Sequence, residues 1–305
     1  MADTLRRFLL RDAPVRGEVV SLDGAWREVV RRHEGLPACV CNRLGELTAA
    51  ALLLAATLKF DGKLILQIHG DGPVALFVVE CDAGGSFRST VKLRDGVTVP
   101  DSADLEELVN AQGGGRFVVT LDPQQRSGGR QPYQGIVPFE GGSVAAALQR
   151  YMLRSEQLPT RLWLAADEHR ATGLLLQRLP DEGGAAQTGA IDADAWDRVG
   201  HLAATLTTEE LLQIDDRQLL TRLFWQEKLH GFDERRCAFA CSCSRQKVAA
   251  MLQMLGRDEI EAILADTGSI EVRCEFCNLP YTFDPVDSAG LFIEGVAPPS
   301  STSRH

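Results

Sequence analysis

Apolar and polar positions in the first 180 residues alternate in short runs that predict strands and helices in mixed order. Val15 to Leu22 reads as a strand, and Trp26, Val29 and Val30 share one face of a short helix. The longest apolar run is Leu47 to Leu58, twelve residues that include Thr48 and Thr57. That is too short to span a bilayer and predicts a buried core helix. Lys63 to His69 alternates, Gly70-Asp71-Gly72-Pro73 turns, and Val74 to Cys81 returns, which together predict a hairpin. Further strands are expected at Arg116 to Leu121, Leu162 to Ala166 and Thr172 to Leu179, with a helix over Ser143 to Gln157. Ser127 to Gly135, around Gly128-Gly129, reads as an irregular loop. The expected fold class is therefore α+β, with a mixed, mostly antiparallel sheet and helices over residues 1–180.

The pattern changes at Asp181. Asp181 to Gln187 is polar and rich in Gly and Ala, a linker signal. From Asp181 to Gly231 there are ten acidic and four basic residues, net −6 of the chain's −10. Helical periodicity nevertheless persists in Trp196, Val199, Leu202, Ala203 and Leu206, and again in Leu219, Leu220, Leu223 and Phe224. Thr207-Thr-Glu-Glu210 has the capping-box pattern before Leu211-Leu212. Short helices need a surface to bury against, so residues 181–235 are expected to form an acidic helical linker that is conditionally ordered. A helical hairpin permanently docked on the first domain is the other reading.

The third region, residues 236–290, carries the chemistry. Cys237-Ala-Phe-Ala-Cys241-Ser-Cys243 is followed, thirty residues later, by Cys274-Glu-Phe-Cys277. Two close cysteine pairs separated by a folded spacer make the ligand set of a four-thiolate zinc site, one Zn2+ per chain. Ser244 is placed to cap a helix with the apolar face Val248, Met251, Leu252 and Leu255 and Gly256 as its stop. The first pair thus precedes a helix N-terminus, where thiolate is favoured over thiol. Ile270, Val272 and Cys274 alternate into the second pair, and Tyr281 and Phe283 alternate out of it, so that pair is expected at the tip of a hairpin. Residues 291–305 are expected to be a flexible tail.

Composition narrows the function classes. With 42 acidic and 32 basic residues, the chain does not present the basic face of a general nucleic-acid binder. No long apolar stretch follows Met-Ala-Asp-Thr-Leu-Arg-Arg-Phe, so secretion is not signalled, and paired cysteines in a cytoplasmic chain point to metal or redox chemistry. Glu80 with Asp82, and Asp167 with Glu168 and His169, are the carboxylate clusters that an acid–base enzyme would draw on, and solvated turn ends are the simpler account of them. Neither Gly128-Gly129 nor Gly113-Gly114-Gly115 is flanked by the Lys-Ser/Thr of a phosphate loop. No catalytic residue or cofactor-binding residue other than the metal ligands is expected. Cys39-Val-Cys41, with His33 nearby, is either an auxiliary redox pair or a chance pair.

Together these residues carry a resemblance. The chain resembles the redox-regulated, thirty-three-kilodalton heat-shock chaperone family of bacteria. Cys241-Ser-Cys243 with Cys274-Glu-Phe-Cys277 matches the family's Cys-x-Cys and Cys-x-x-Cys motif and its long spacer. Gly70-Asp-Gly-Pro73, Tyr133-Gln-Gly-Ile-Val-Pro138, Ser155-Glu-Gln-Leu-Pro-Thr160 and Gly173-Leu-Leu-Leu-Gln177 resemble its first-domain signatures. The match runs from about Arg7 to Asp284. Cys39, Cys41 and Cys237 depart from the four-cysteine core, and Cys237 is left as a competing ligand or an alternative disulfide partner.

The resemblance implies a cytoplasmic, ATP-independent holdase for unfolded or partly unfolded client proteins, silent when reduced and metal-loaded, active when oxidised. It implies that Cys241 pairs with Cys243 and Cys274 with Cys277 on oxidation, with release of zinc, and that the oxidised form dimerises. It implies no enzyme activity and neither nucleic acid nor membrane as partner. Two other classes use the same residues: a zinc-ribbon module that binds nucleic acid or protein, and an enzyme with a structural zinc.

Overall fold

In the computed structural model the described residues are 3–11, 13–58, 60–123, 132–180 and 194–292. The Gly/Ala-rich start of the linker, Gly128-Gly129 and residues 293–305 of the tail lie outside them. The chain divides into two compact units, Met1–Ala240 and Cys241–His305.

The first unit opens with strands β1 (Thr4–Leu10) and β2 (Val15–Leu22), then helices α1 (Gly24–Arg32) and α2 (Ala38–Thr57). Three strands follow, β3 (Gly62–His69), β4 (Val74–Asp82) and β5 (Ser86–Leu93), then α3 (Leu105–Val109). Strands β6 (Arg116–Pro123) and β7 (Tyr133–Pro138), helix α4 (Val144–Ser155) and strands β8 (Thr160–Ala166) and β9 (Ala171–Arg178) complete the part read as a domain from sequence. Three short helices come next, α5 (Ala195–Ala203), α6 (Thr208–Gln213) and α7 (Asp216–Leu223), and two last strands, β10 (Leu229–Arg236) and β11 (Ala238–Phe239).

These strands make a five-stranded sheet in the order β10-β1-β2-β9-β8 and a six-stranded sheet in the order β11-β5-β4-β3-β6-β7. All pairings are antiparallel except the short one between β11 and β5. The predicted Lys63–Cys81 hairpin forms, with His69 opposite Leu76 and Leu66 opposite Val79. The predicted loop Ser127 to Gly135 is overturned at its end, because Tyr133 to Gly135 pair with β6 as part of β7.

Helix α2 packs against strands of both sheets. It begins nine residues before the predicted Leu47, just after Pro37, whose φ of −56° suits the chain for helix entry. Among the described residues it is the one helix long and apolar enough to cross a membrane. Fifteen of its twenty residues are instead buried in the main core, with Trp26, Phe77, Phe117 and Leu148. Beside its C-terminal end, Glu18 is fully buried and bonded at 3.1 Å by Arg7, which also donates to the Ala56 carbonyl.

The opposite face of the five-stranded sheet is covered by α5, α6 and α7. Val199, Ala203, Leu211, Leu219, Leu220 and Phe224 bury against Phe8, Val15, Val19, Leu174 and Leu176. The Thr207–Glu210 capping box forms as its sequence predicts. Charge is buried in this interface too. Asp216 of α7 accepts hydrogen bonds from Thr4 and Ser21, and Arg170 donates to the Leu212 carbonyl at the end of α6. Arg6 lies between Asp216 and Glu234, so one side chain bridges α7 and β10.

The second unit holds α8 (Arg245–Leu255), α9 (Arg257–Thr267), the hairpin β12 (Ile270–Arg273) and β13 (Pro280–Phe283), and α10 (Pro285–Leu291). Its core is a cluster of five buried side chains, Leu252, Ile260, Ile270, Tyr281 and Phe283.

Candidate metal centre

Two turns bring the four cysteines together. Cys241 and Cys243 lie in the extended segment before α8, whose N-cap Ser244 accepts from the Lys247 amide at 3.3 Å. Lys247 also reaches back to the Ser242 carbonyl, tying that segment to the first helical turn. The second pair occupies the tip of the β12–β13 hairpin, where Val272 faces Tyr281 and Ile270 faces Phe283. The tip closes through the Asn278 amide on the Cys274 carbonyl at 2.8 Å and the Cys274 amide on the Leu279 carbonyl at 3.1 Å. Asn278 takes a left-handed φ of 56°, a conformation Asn tolerates better than most side chains.

The four sulphurs lie within 4.8 Å of one another. Cys241 and Cys274 are 3.7 Å apart, and Cys243 and Cys277 are 3.3 Å apart. A tetrahedron with Zn–S bonds of about 2.3 Å has S···S edges of about 3.8 Å. The donor set fits such an ion: four sulphurs, no disulfide, and spacing far beyond a covalent S–S bond.

The sulphurs are not equivalent. At Cys243, burial disfavours the thiolate, but hydrogen bonds from the Tyr281 hydroxyl (3.1 Å) and from the other three thiols outweigh it and bring the group down to about 7. Cys241 and Cys277 are pushed up, first by burial, although backbone amides of Cys243 and Leu279 oppose the shift. Four clustered thiols thus begin ionisation at one sulphur and resist it at others, a demand that a dication removes. Of the nearby cations, Lys247 bonds the Ser242 carbonyl between Cys241 and Cys243. Arg245 is paired with Asp287 at 2.7 Å and lies over the Phe283 ring, and Arg273 pairs with Glu271. The apolar face predicted for α8 is corrected in part. Leu252 is buried, whereas Met251 and Leu255 are exposed, because the unit is too small to cover both.

The other cysteines lie elsewhere. Cys237 is buried in the main core of the first unit, its thiol pushed up to about 12 by burial, then by Asp3 and Asp216. Cys81 is buried in the same core, and so is Cys41, pushed up to about 11 by burial and then by Glu168 and Asp167. Cys39 contacts the Pro100 carbonyl at 3.4 Å, and His33 bonds to Val29 and Thr90. The carboxylates weighed as acid–base groups serve structure. Glu80 pairs with Arg88 at 2.7 Å, Asp82 caps the turn before β5, and Asp167 caps the β8–β9 turn. The Tyr281 hydroxyl on Cys243 went unread in the sequence, where Tyr281 registered only as an alternating apolar position.

A family model described as Hsp33 protein matches residues 3–284. The chain is 45% identical over 306 residues to the 33 kDa chaperonin of Methylobacillus flagellatus, covering 100% of this chain and 99% of that one. It is 46% identical over 303 residues to the 33 kDa chaperonin of Chromobacterium violaceum, covering 99% and 98%. Its fold is similar to the crystal structure of the 33 kDa chaperonin, a heat shock protein 33 homolog, from Thermotoga maritima, with a TM-score of 0.77 at 21% identity, covering 95% of this chain and 97% of that one. A match across nearly all of its length, joined to relatives of the same size, means that the chain belongs to the Hsp33 family, a family of chaperones.

Proposed function

We propose that this chain is a redox-regulated, ATP-independent holdase whose switch is the four-cysteine cluster. The observation that carries the reading is the convergence of Cys241, Cys243, Cys274 and Cys277 within 4.8 Å in a unit whose apolar core, among the described residues, is a cluster of five buried side chains. Those four residues would hold one zinc ion in the reduced state. When bound, that ion supplies a charge-neutralising cross-link between the segment before α8 and the β12–β13 hairpin, on the order of 10–16 kcal/mol in small zinc modules.

The chain's own residues do the rest. A peroxide takes two electrons and two protons from each pair of thiols. One S–S bond forms, the O–O bond breaks, and two waters leave. Sulphurs in disulfides no longer ligate, and five buried side chains do not hold the unit folded alone. The unit unfolds, and in this reading α5–α7 then loosen from the five-stranded sheet, so that the apolar surface buried between them opens to unfolding clients in the cytoplasm. The family's pairing, Cys241 with Cys243 and Cys274 with Cys277, is the pairing proposed here.

The test measures zinc content, free thiols and suppression of client aggregation, before and after peroxide. One zinc and no suppression when reduced, and metal loss with suppression when oxidised, are expected. Full suppression by reduced, metal-loaded protein would overturn the reading.

A further inference from the structure

Resting on the reading of the cluster as a zinc switch, we propose that Tyr281 is a positioning residue for Cys243: its hydroxyl orients that sulphur for the metal and restrains its attack on peroxide. The hydroxyl donates to the Cys243 sulphur at 3.1 Å. Its direction is fixed from behind, because the ring packs with Leu252, Ile260, Ile270 and Phe283, and the backbone pairs with Val272 across the hairpin. Tyr281 therefore adds, beside the thiol–thiol contacts, a hydroxyl through which the hairpin bearing Cys274 and Cys277 holds a cysteine of the other pair. Cys241 and Cys277 are served by backbone amides of the turns they sit in. Cys243 is served by a side chain from a remote strand, so its donor depends on the folded hairpin.

The chemistry follows from where the donor sits. A sulphur attacks peroxide with a lone pair. The O–O bond breaks, sulphur gains hydroxyl as a sulfenic acid, and hydroxide leaves and takes a proton. A second thiol then displaces water to form the disulfide. In the metal-loaded state the sulphur is already a thiolate, so a hydroxyl hydrogen-bonded to it no longer aids ionisation; it occupies one lone pair and draws charge from it. The same bond holds the sulphur in ligating orientation, and partners of this kind carry 10–100-fold in metal affinity. Cys243 is thus restrained while the hairpin is folded and released when it opens, which favours oxidation of a unit already beginning to unfold.

Tyr281→Phe removes the hydroxyl and keeps the ring. Zinc affinity, measured against a competing chelator, should fall by about tenfold or more. Pulsed alkylation with mass mapping under peroxide should show Cys243 oxidising faster relative to Cys274 than in wild type. Leu264→Ala, which loosens α9 without removing a side chain that fixes the Tyr281 ring, should accelerate all four cysteines together and leave their order unchanged. Unchanged affinity and unchanged relative rate at Cys243 in a Tyr281→Phe protein that still loads zinc would overturn the inference and leave the zinc switch standing. Wild-type protein that holds no zinc would overturn the switch itself, and the inference with it.

Discussion

Helix α2 of the first unit and helix α8 of the second are opposite solutions to the same problem. In α2, fifteen of twenty residues are buried; in α8, of eleven residues, Leu252 is. Met254 on α8 is 80% exposed, an apolar side chain with nothing to pack on. The first unit is held by apolar burial on both faces of a sheet. The second has good local structure, a capped helix and a registered hairpin, with too little core to keep it. Local propensity and caps contribute fractions of a kcal/mol to about 2 kcal/mol each, so such a unit depends on whatever crosslinks its turns.

The largest effect expected from that contrast is at the cysteines. Cys274→Ala should abolish stoichiometric zinc and unfold the second unit, a loss on the order of 10 kcal/mol, while the first unit keeps its cooperative melt. Hydrogen exchange resolved by segment checks this; protection retained in α8 and β13 would break the comparison. Next, Leu47→Ala in α2 should destabilise the first unit by about 2–5 kcal/mol and leave zinc content unchanged. Calorimetry with metal analysis reads both.

The third effect is in pH, where the two units should run in opposite directions. Burial, against the pull of Arg7 and Arg16, raises the Glu18 carboxyl from 4.5 to about 7. The folded unit therefore binds the proton more tightly than the unfolded chain between those values. Its stability on this account is full below about pH 4.5 and is lost as pH rises through 7, by up to about 3 kcal/mol. The second unit should do the reverse, since protons compete with metal for thiolates on acidification. Glu18→Gln should flatten the pH dependence of the first unit's melting; an unchanged slope would remove Glu18 from the account.

The smallest effect concerns the linker. Replacing Leu219 by Ser should weaken docking of α7 by about 1.5–3 kcal/mol and give partial chaperone activity without oxidant. Asp216→Ala, which leaves Arg6 between Glu234 and an empty site, should act in the same direction. Limited proteolysis of residues 194–240 tests both, and unchanged resistance in both variants would show that docking is not marginal.

Much of this was legible in the chain. Alternation reads out β3 and the β12–β13 hairpin, apolar runs bounded by turns read out β2 and β4, and spacing alone finds the four sulphurs, because all these signals are local. Strands β1, β5 and β10 were missed for a physical reason. Leu229-His-Gly-Phe-Asp-Glu-Arg-Arg236 does not alternate, and it becomes a strand by pairing with β1, from Leu10 opposite Leu229 to Thr4 opposite Arg236. The start of α2 is hidden because Asn42, Arg43 and Glu46 interrupt the apolar run ahead of Leu47, and Arg43 and Glu46 pair with each other along the helix. The burial of Asp216 and Arg170 has no signal in the sequence; their partners come from β1, β2 and the end of α6, which only the fold brings to them. Tyr281 shows the same limit at the site: a hydroxyl's acceptor lies in three dimensions, not at a spacing.

The segment between Arg236 and Ala240 has one practical consequence. Its amides bond to Asp3, Gly85 and Phe87, Gly85 leaves no room there for a side chain at φ +94°, and Cys237 is buried inside it. The thiol of Cys237 is thus a native clock. A pulse of alkylating reagent marks it when these residues lift from both sheets, while Cys81, buried on β4 within the six-stranded sheet, is marked by global unfolding. The ratio of the two labels would time the opening of the chain without any foreign probe.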